Sequence, residues 1–94
     1  MDNELLEKLA ELEHVQWCEW AKSVSVNLNE LLSIIDKNQD LDLTDDEIKS
    51  VNAVKDKLNR WNNLFVPYSE LSEDMKDKDR VYAIKALDIV ENQQ

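Results

Sequence analysis

Apolar residues recur every three to four positions along most of the chain, which predicts helices and offers no strand candidate. Leu5, Leu6, Leu9, Leu12, Trp17, Trp20 and Val24 form a first stripe. They predict a helix over residues 3–24, capped by Asn3 or Asp2. The run Ser23-Val24-Ser25-Val26 has weak helix propensity, so a break is expected there. Asn27, with Glu30 three residues later, reads as the cap of a short second helix over 28–35, which buries Leu28, Leu31, Leu32 and Ile35. Residues 36–42 are polar and acidic and read as a loop. Thr44-Asp45-Asp46-Glu47 is a capping box with acids in the first turn, opening a helix over 45–64. Its stripe is Ile48, Val51, Val54, Leu58, Trp61 and Phe65. Pro67 stops the helix, Tyr68 to Leu71 turn, and Ser72 caps a last helix over 73–91. Met75, Tyr82, Ala83, Ala86, Leu87 and Val90 form its inner face, and the tail Glu91 to Gln94 frays. The expectation is an all-α, four-helix single domain over residues 1–94, with Leu9, Trp17, Val54, Leu58, Trp61, Ala83 and Leu87 buried.

Composition narrows the chemistry. Glycine is absent and proline occurs once, so phosphate-cradling glycine loops are excluded. With 21 acidic and 11 basic side chains the net charge is -10, which argues against direct nucleic-acid binding through the phosphate backbone. The single cysteine, Cys18, excludes an internal disulfide and a multi-cysteine metal site. No apolar run approaches the roughly 18 residues of a membrane span, so a cytoplasmic protein with no membrane partner is expected. Leu5, Leu6, Val24, Val26 and Ile34 exceed what so short a chain can cover, which points to a homo-oligomer, by base rate a two-fold dimer.

Two carboxylates fall inside apolar stripes: Glu13 on the first helix and Asp79 on the last. A buried carboxylate needs a cation or several donors, because an unpaired charge in an apolar site costs several kcal/mol. His14, Arg60, Lys76 and Arg80 are the available partners. The result is either an internal ion-pair network or a half-buried pocket for a charged ligand. Trp17, Trp20 and Trp61 sit on helical stripes as core residues, or as platforms for a flat ligand where partly exposed. Tyr68, in the proline turn, is expected to be the most exposed aromatic. His14 and Cys18 stand four apart on one helix, but nothing supplies an oxyanion site, so neither an enzyme nor a cofactor is expected.

Residues 36–47 carry oxygen ligands at the spacing of a calcium loop: Asp36, Asn38, Asp40, Asp42 and Glu47. The sixth position, normally a glycine in a left-handed turn, is Leu41. The competing reading is an acidic interhelical loop ending in a helix cap.

Leu9-Ala10-Glu11-Leu12-Glu13-His14-Val15-Gln16-Trp17 followed by Trp20, then Arg60-Trp61, Pro67-Tyr68-Ser69-Glu70-Leu71-Ser72-Glu73, Lys76, Asp79-Arg80 and Ala83, resembles short prokaryotic and phage proteins related to the ryanodine-receptor repeat (RyR) domain. The resemblance spans both ends of the chain and leaves out the middle. It implies a small all-α domain without catalytic machinery that binds a nucleotide or nucleotide-derived signal. A phage-encoded sponge that blunts host immunity would fit. His14, Trp17, Arg60, Trp61, Tyr68, Lys76, Asp79 and Arg80 are the site it implies. The dense acids of 36–47 and 70–79 support a different function: an acidic inhibitor that mimics nucleic acid against a host defence protein.

Overall fold

The computed structural model describes residues 3–38 and 40–93. Asp2, one of the two expected caps, and Gln94, in the expected frayed tail, lie outside the described residues. The all-α expectation holds. The order is α1 (Asn3–Lys37), α2 (Asp45–Asn63), a 3-10 turn (Tyr68–Glu70) and α3 (Glu73–Asn92). Two compact units share these elements. A terminal unit comprises residues 1–19 and 66–94, and a central unit comprises residues 20–65.

The expected break near residue 25 does not occur: α1 runs unbroken through Ser23 to Asn27. Serine, valine and asparagine each cost only a fraction of a kcal/mol in a helix, about 0.7 at most, and burial of the following apolar residues outweighs this. Asn27 is therefore interior to α1 rather than a cap. The inner face of α1 also differs from the most obvious leucine stripe. In the terminal unit it runs through Glu7, Ala10, His14 and Trp17, and in the central unit through Ala21, Val24, Leu28, Leu32 and Ile35. The steps along it are three or four residues. Ala10 and Ala21 are wholly buried, whereas Leu12 is 51% and Trp20 57% exposed. Small side chains allow close approach of a neighbouring backbone, and the long ones are displaced outward.

The terminal unit contains the first half of α1, the proline turn and α3. Ala83 and Leu87 of α3 are buried as expected, with Leu71 and Tyr68 of the turn. Met75 is half-buried, while Tyr82, Ala86 and Val90, expected on the inner face, are exposed. Ser72 caps α3, its hydroxyl accepting from the Met75 N–H at 3.3 Å.

The central unit packs the second half of α1 against α2. Leu58 is buried, and Val51, Val54, Trp61 and Phe65 are half-buried around it; Ile48, from the same stripe, is exposed. The Trp20 and Trp61 rings lie 5.7 Å apart at 54°, a tilted aromatic pair. The capping box forms as expected. Thr44 Oγ1 accepts from the Glu47 N–H at 3.2 Å, and the Thr44 N–H donates to Glu47 Oε1 at 2.8 Å. Leu9 and Trp17 of the terminal unit, expected in the core, are half-buried.

Candidate functional site

Six of the eight residues of the expected site fall in the terminal unit: His14, Trp17, Tyr68, Lys76, Asp79 and Arg80. Arg60 and Trp61 belong to the central unit, where Arg60 is exposed and Trp61 pairs with Trp20.

His14 is 5% exposed on the inner face of α1. Its Nε2 lies 2.7 Å from the Val66 carbonyl oxygen, which only accepts, so Nε2 carries the proton. Its Nδ1 faces Asp79 Oδ2 at 3.8 Å. His14 is thus the one of the four candidate partners that meets Asp79, the carboxylate in the apolar stripe. Burial pushes the Asp79 carboxyl above its ordinary range, His14 opposes that shift, and the Glu13 charge adds to it. The Trp17 ring stacks beside the imidazole at 6.2 Å and 20°, and the Tyr68 ring lies 6.4 Å away on another side.

Tyr68 corrects an expectation. Far from being exposed, it is buried, because its hydroxyl reaches inward to donate to Glu7 Oε2. A phenol is amphipathic, and a carboxylate partner removes the cost of burying its O–H. Burial, then the bond to Glu7, pushes the Tyr68 hydroxyl up to about 12.

Arg80 is the hub of this unit. Its Nε donates to Glu7 Oε1 at 2.8 Å, and its Nη2 forms an ion pair with the same oxygen at 2.8 Å. Its Nη1 donates to Glu73 Oε2 at 2.9 Å and Asp77 Oδ1 at 2.8 Å. These carboxylates, Asp77 foremost, raise the guanidinium further above its already high value. In return, the bonds from Tyr68 and then Arg80 hold Glu7 below the usual glutamate range, and the bond from Arg80 does the same for Glu73. Lys76 reaches Glu73 at 3.6 Å and lies 5.5 Å from the Tyr68 ring centroid.

Glu7 is the central residue that sequence reasoning missed. It stands seven residues before His14, through Ala10, on the same face of α1. The eleven-residue step from Ala10 to Ala21, about three helical turns, was the available signal, masked by the larger leucines.

Cys18 Sγ lies 3.4 Å from His14 Nε2, and Asp79 faces the other ring nitrogen, an outline resembling a nucleophile triad. The chemistry differs. Nε2 already carries a proton bonded to Val66, so it has no lone pair with which to take one from the thiol. Cys18 also sits within α1, where its own N–H is committed to the helix.

Among the described residues, the acids of the loop are engaged singly rather than gathered as calcium ligands. Glu47 is held by the Thr44 backbone N–H, which lowers its pKa. Asp36 pairs with Lys55 at 3.4 Å, and Asn38 Nδ2 donates to the Ile34 carbonyl at 2.8 Å. Among the described residues none has positive φ, so Leu41 does not supply the left-handed turn that such a loop requires. No group of three His, Cys, Asp or Glu side chains converges among the described residues. Leu41 and Ile48 are exposed beside Asp40, Asp42, Asp45, Asp46 and Glu47. Leu41 and Ile48 line a cleft of about 270 Å³ together with Ile35, Leu43, Val51, Asn38, Asn52 and the Asp36–Lys55 pair.

No protein-family model, curated protein or solved structure matches this chain. No helix among the described residues is long and apolar enough to cross a membrane.

Proposed function

We propose that this chain is a non-enzymatic binding module that docks a basic protein surface on its acidic loop. The observation that carries this is the company kept by the acids. Asp40, Asp42, Asp45, Asp46 and Glu47 are all exposed, and next to them in the chain stand the exposed side chains of Leu41 and Ile48, which line a cleft of mixed apolar and polar character. Acids alone would serve solubility. Acids around exposed apolar side chains offer a partner both steering and burial: opposite charge raises the encounter rate, and apolar contact holds the complex. The overall charge of -10 favours the same class of partner. The reading keeps the function of an acidic inhibitor of a host defence protein.

The test starts with retrieval of the partner from a host lysate, followed by reconstitution of the complex from purified components. The expected complex weakens steeply as salt rises and is lost in a D42K/D46K variant. A purified complex indifferent to that charge reversal overturns the proposal.

A second reading, binding of a nucleotide-derived signal, rests on the resemblance to RyR-related proteins. It is supported by one feature of the terminal unit: the Trp17 and Tyr68 rings flank His14, and Lys76 lies over the Tyr68 ring. A phosphate would have to compete with Glu7, Glu73 and Asp77 for Arg80, which makes this the less favoured function. A thermal-shift panel of mono- and cyclic nucleotides tests it, and stabilisation by one member would move the second reading ahead of the first.

A further inference from the structure

In the central unit, Ser25 on α1 faces Leu58, Asn59, Asn62 and Phe65 at the α2 end, and with Asn29 they line a cleft of about 210 Å³. Serine inside a helix normally turns its hydroxyl to the carbonyl four residues back. Here Ser25 Oγ is shielded from solvent and is without a hydrogen-bond partner among the described residues. A buried hydroxyl left without a bond is costly and rare, and it calls for an explanation. The surroundings supply one. Three carboxamides each present an acceptor and two donors, the hydroxyl presents both, and no charged side chain lines the cleft. Leu58 is the buried floor, and the Phe65 ring, steadied by Lys22 at 5.5 Å, is an aromatic wall. This is a different place from the acidic loop and is independent of the function proposed above.

We infer that this cleft is a binding site for a small uncharged planar molecule with a carboxamide or lactam edge. Charged ligands would enter it without a counter-charge. An amide edge pairs donor-to-acceptor with asparagine side chains, and its ring lies against Phe65. The volume sets the size: drug-sized ligands occupy pockets of about 300 Å³ and above, so one ring is the limit here.

Uracil and nicotinamide are the probes, with benzoate and inorganic phosphate as charged counterparts, and the side-chain amide NMR signals of Asn29, Asn59 and Asn62 are the readout. The expected result is a saturable shift of those signals with at least one neutral probe and with neither anion. Ser25→Ala and Asn62→Ala should each weaken the binding about tenfold, the scale of one lost hydrogen-bond partner. Both variants should fold, since alanine favours a helix more than serine or asparagine. Circular dichroism confirms this, and D42K/D46K should bind the probe as the parent does. No saturable shift with either neutral probe up to its solubility overturns the inference. So does binding unchanged by both substitutions, or equal binding of an anion.

Discussion

Arg80 holds Glu7 through a single oxygen, Nε donating to Oε1 and Nη2 forming an ion pair with it, both at 2.8 Å, across 73 residues of chain. The other Glu7 oxygen takes the Tyr68 hydroxyl. One carboxylate near the start of α1 therefore fastens both the proline turn and α3 within the terminal unit. The remaining face of the guanidinium is filled by Glu73 and Asp77. Every donor direction of Arg80 named here ends on the chain itself, which is the geometry of a structural tie.

Arg80→Lys should therefore lower the melting temperature nearly as much as Arg80→Ala. A lysine is a point charge on a flexible stem and cannot span Glu7, Glu73 and Asp77 together. The pair is partly exposed, so solvent screening limits the loss to a moderate one. Thermal denaturation followed by circular dichroism measures both variants. A lysine variant as stable as the parent would show that charge alone suffices and that the fork geometry is idle.

Leu58 is the buried anchor of the central unit, so Leu58→Ala should cost about 2–4 kcal/mol in urea unfolding. Thr44→Ala removes the cap of α2 and should cost about 1 kcal/mol. The two sites lie far apart along α2, and their effects should add. A Leu58→Ala loss below half a kcal/mol, on the order of a surface substitution, would place the residue outside the core.

The helical class, the capping box, the Ser72 cap and the stop before Pro67 were legible because each rests on a few adjacent residues. The unbroken passage of α1 through residues 23–27 was not, because burial decided it over local propensity. Asp79 was found as a carboxylate in an apolar stripe, and its partner His14 stood among four candidates. Glu7 and the burial of Tyr68 escaped notice for one reason. Each makes sense only with the other present, 61 residues away in the chain. Arg60 could not be sorted from Arg80 by pattern, since both lie beside apolar positions and only the fold decides which one meets carboxylates.

The glutamate contribution to stability should fall as pH drops below about 4.5. Glu7, Glu47 and Glu73 are held below their ordinary value of 4.5 in the folded chain, so the unfolded chain binds more protons and acid favours it. Their contribution is complete above 4.5 and is lost as pH falls through the folded values. Asp79 acts in the opposite sense. Its carboxyl is raised above 3.8, so the folded chain takes up that proton first and acid relieves its burial. The three glutamates and Asp79 therefore pull the acid limb in opposite directions. Glu7→Gln should flatten the acid limb of the melting-temperature curve, and an unchanged limb would show that Glu7 does not contribute. At the other end, Tyr68 should titrate near pH 12 by ultraviolet absorbance, with stability falling from pH 10 upward.

Self-association is the remaining expectation with a surface to match it. Val26 is 58% and Ile34 57% exposed in the central unit, on the side of α1 turned away from Leu28, Leu32 and Ile35. A helix that leaves β-branched apolar side chains in water beside a filled inner face has a second face to cover. A net charge of -10 on each chain opposes pairing, so association should strengthen as salt screens that repulsion, the reverse of the salt response expected for a basic partner. Light scattering should give twice the 11.0 kDa chain mass at high protein concentration and moderate salt. A V26D/I34D variant should remain helical and return the single-chain mass. A parent protein that stays monomeric at millimolar concentration in high salt would end the case for a dimer and leave these residues to a different partner.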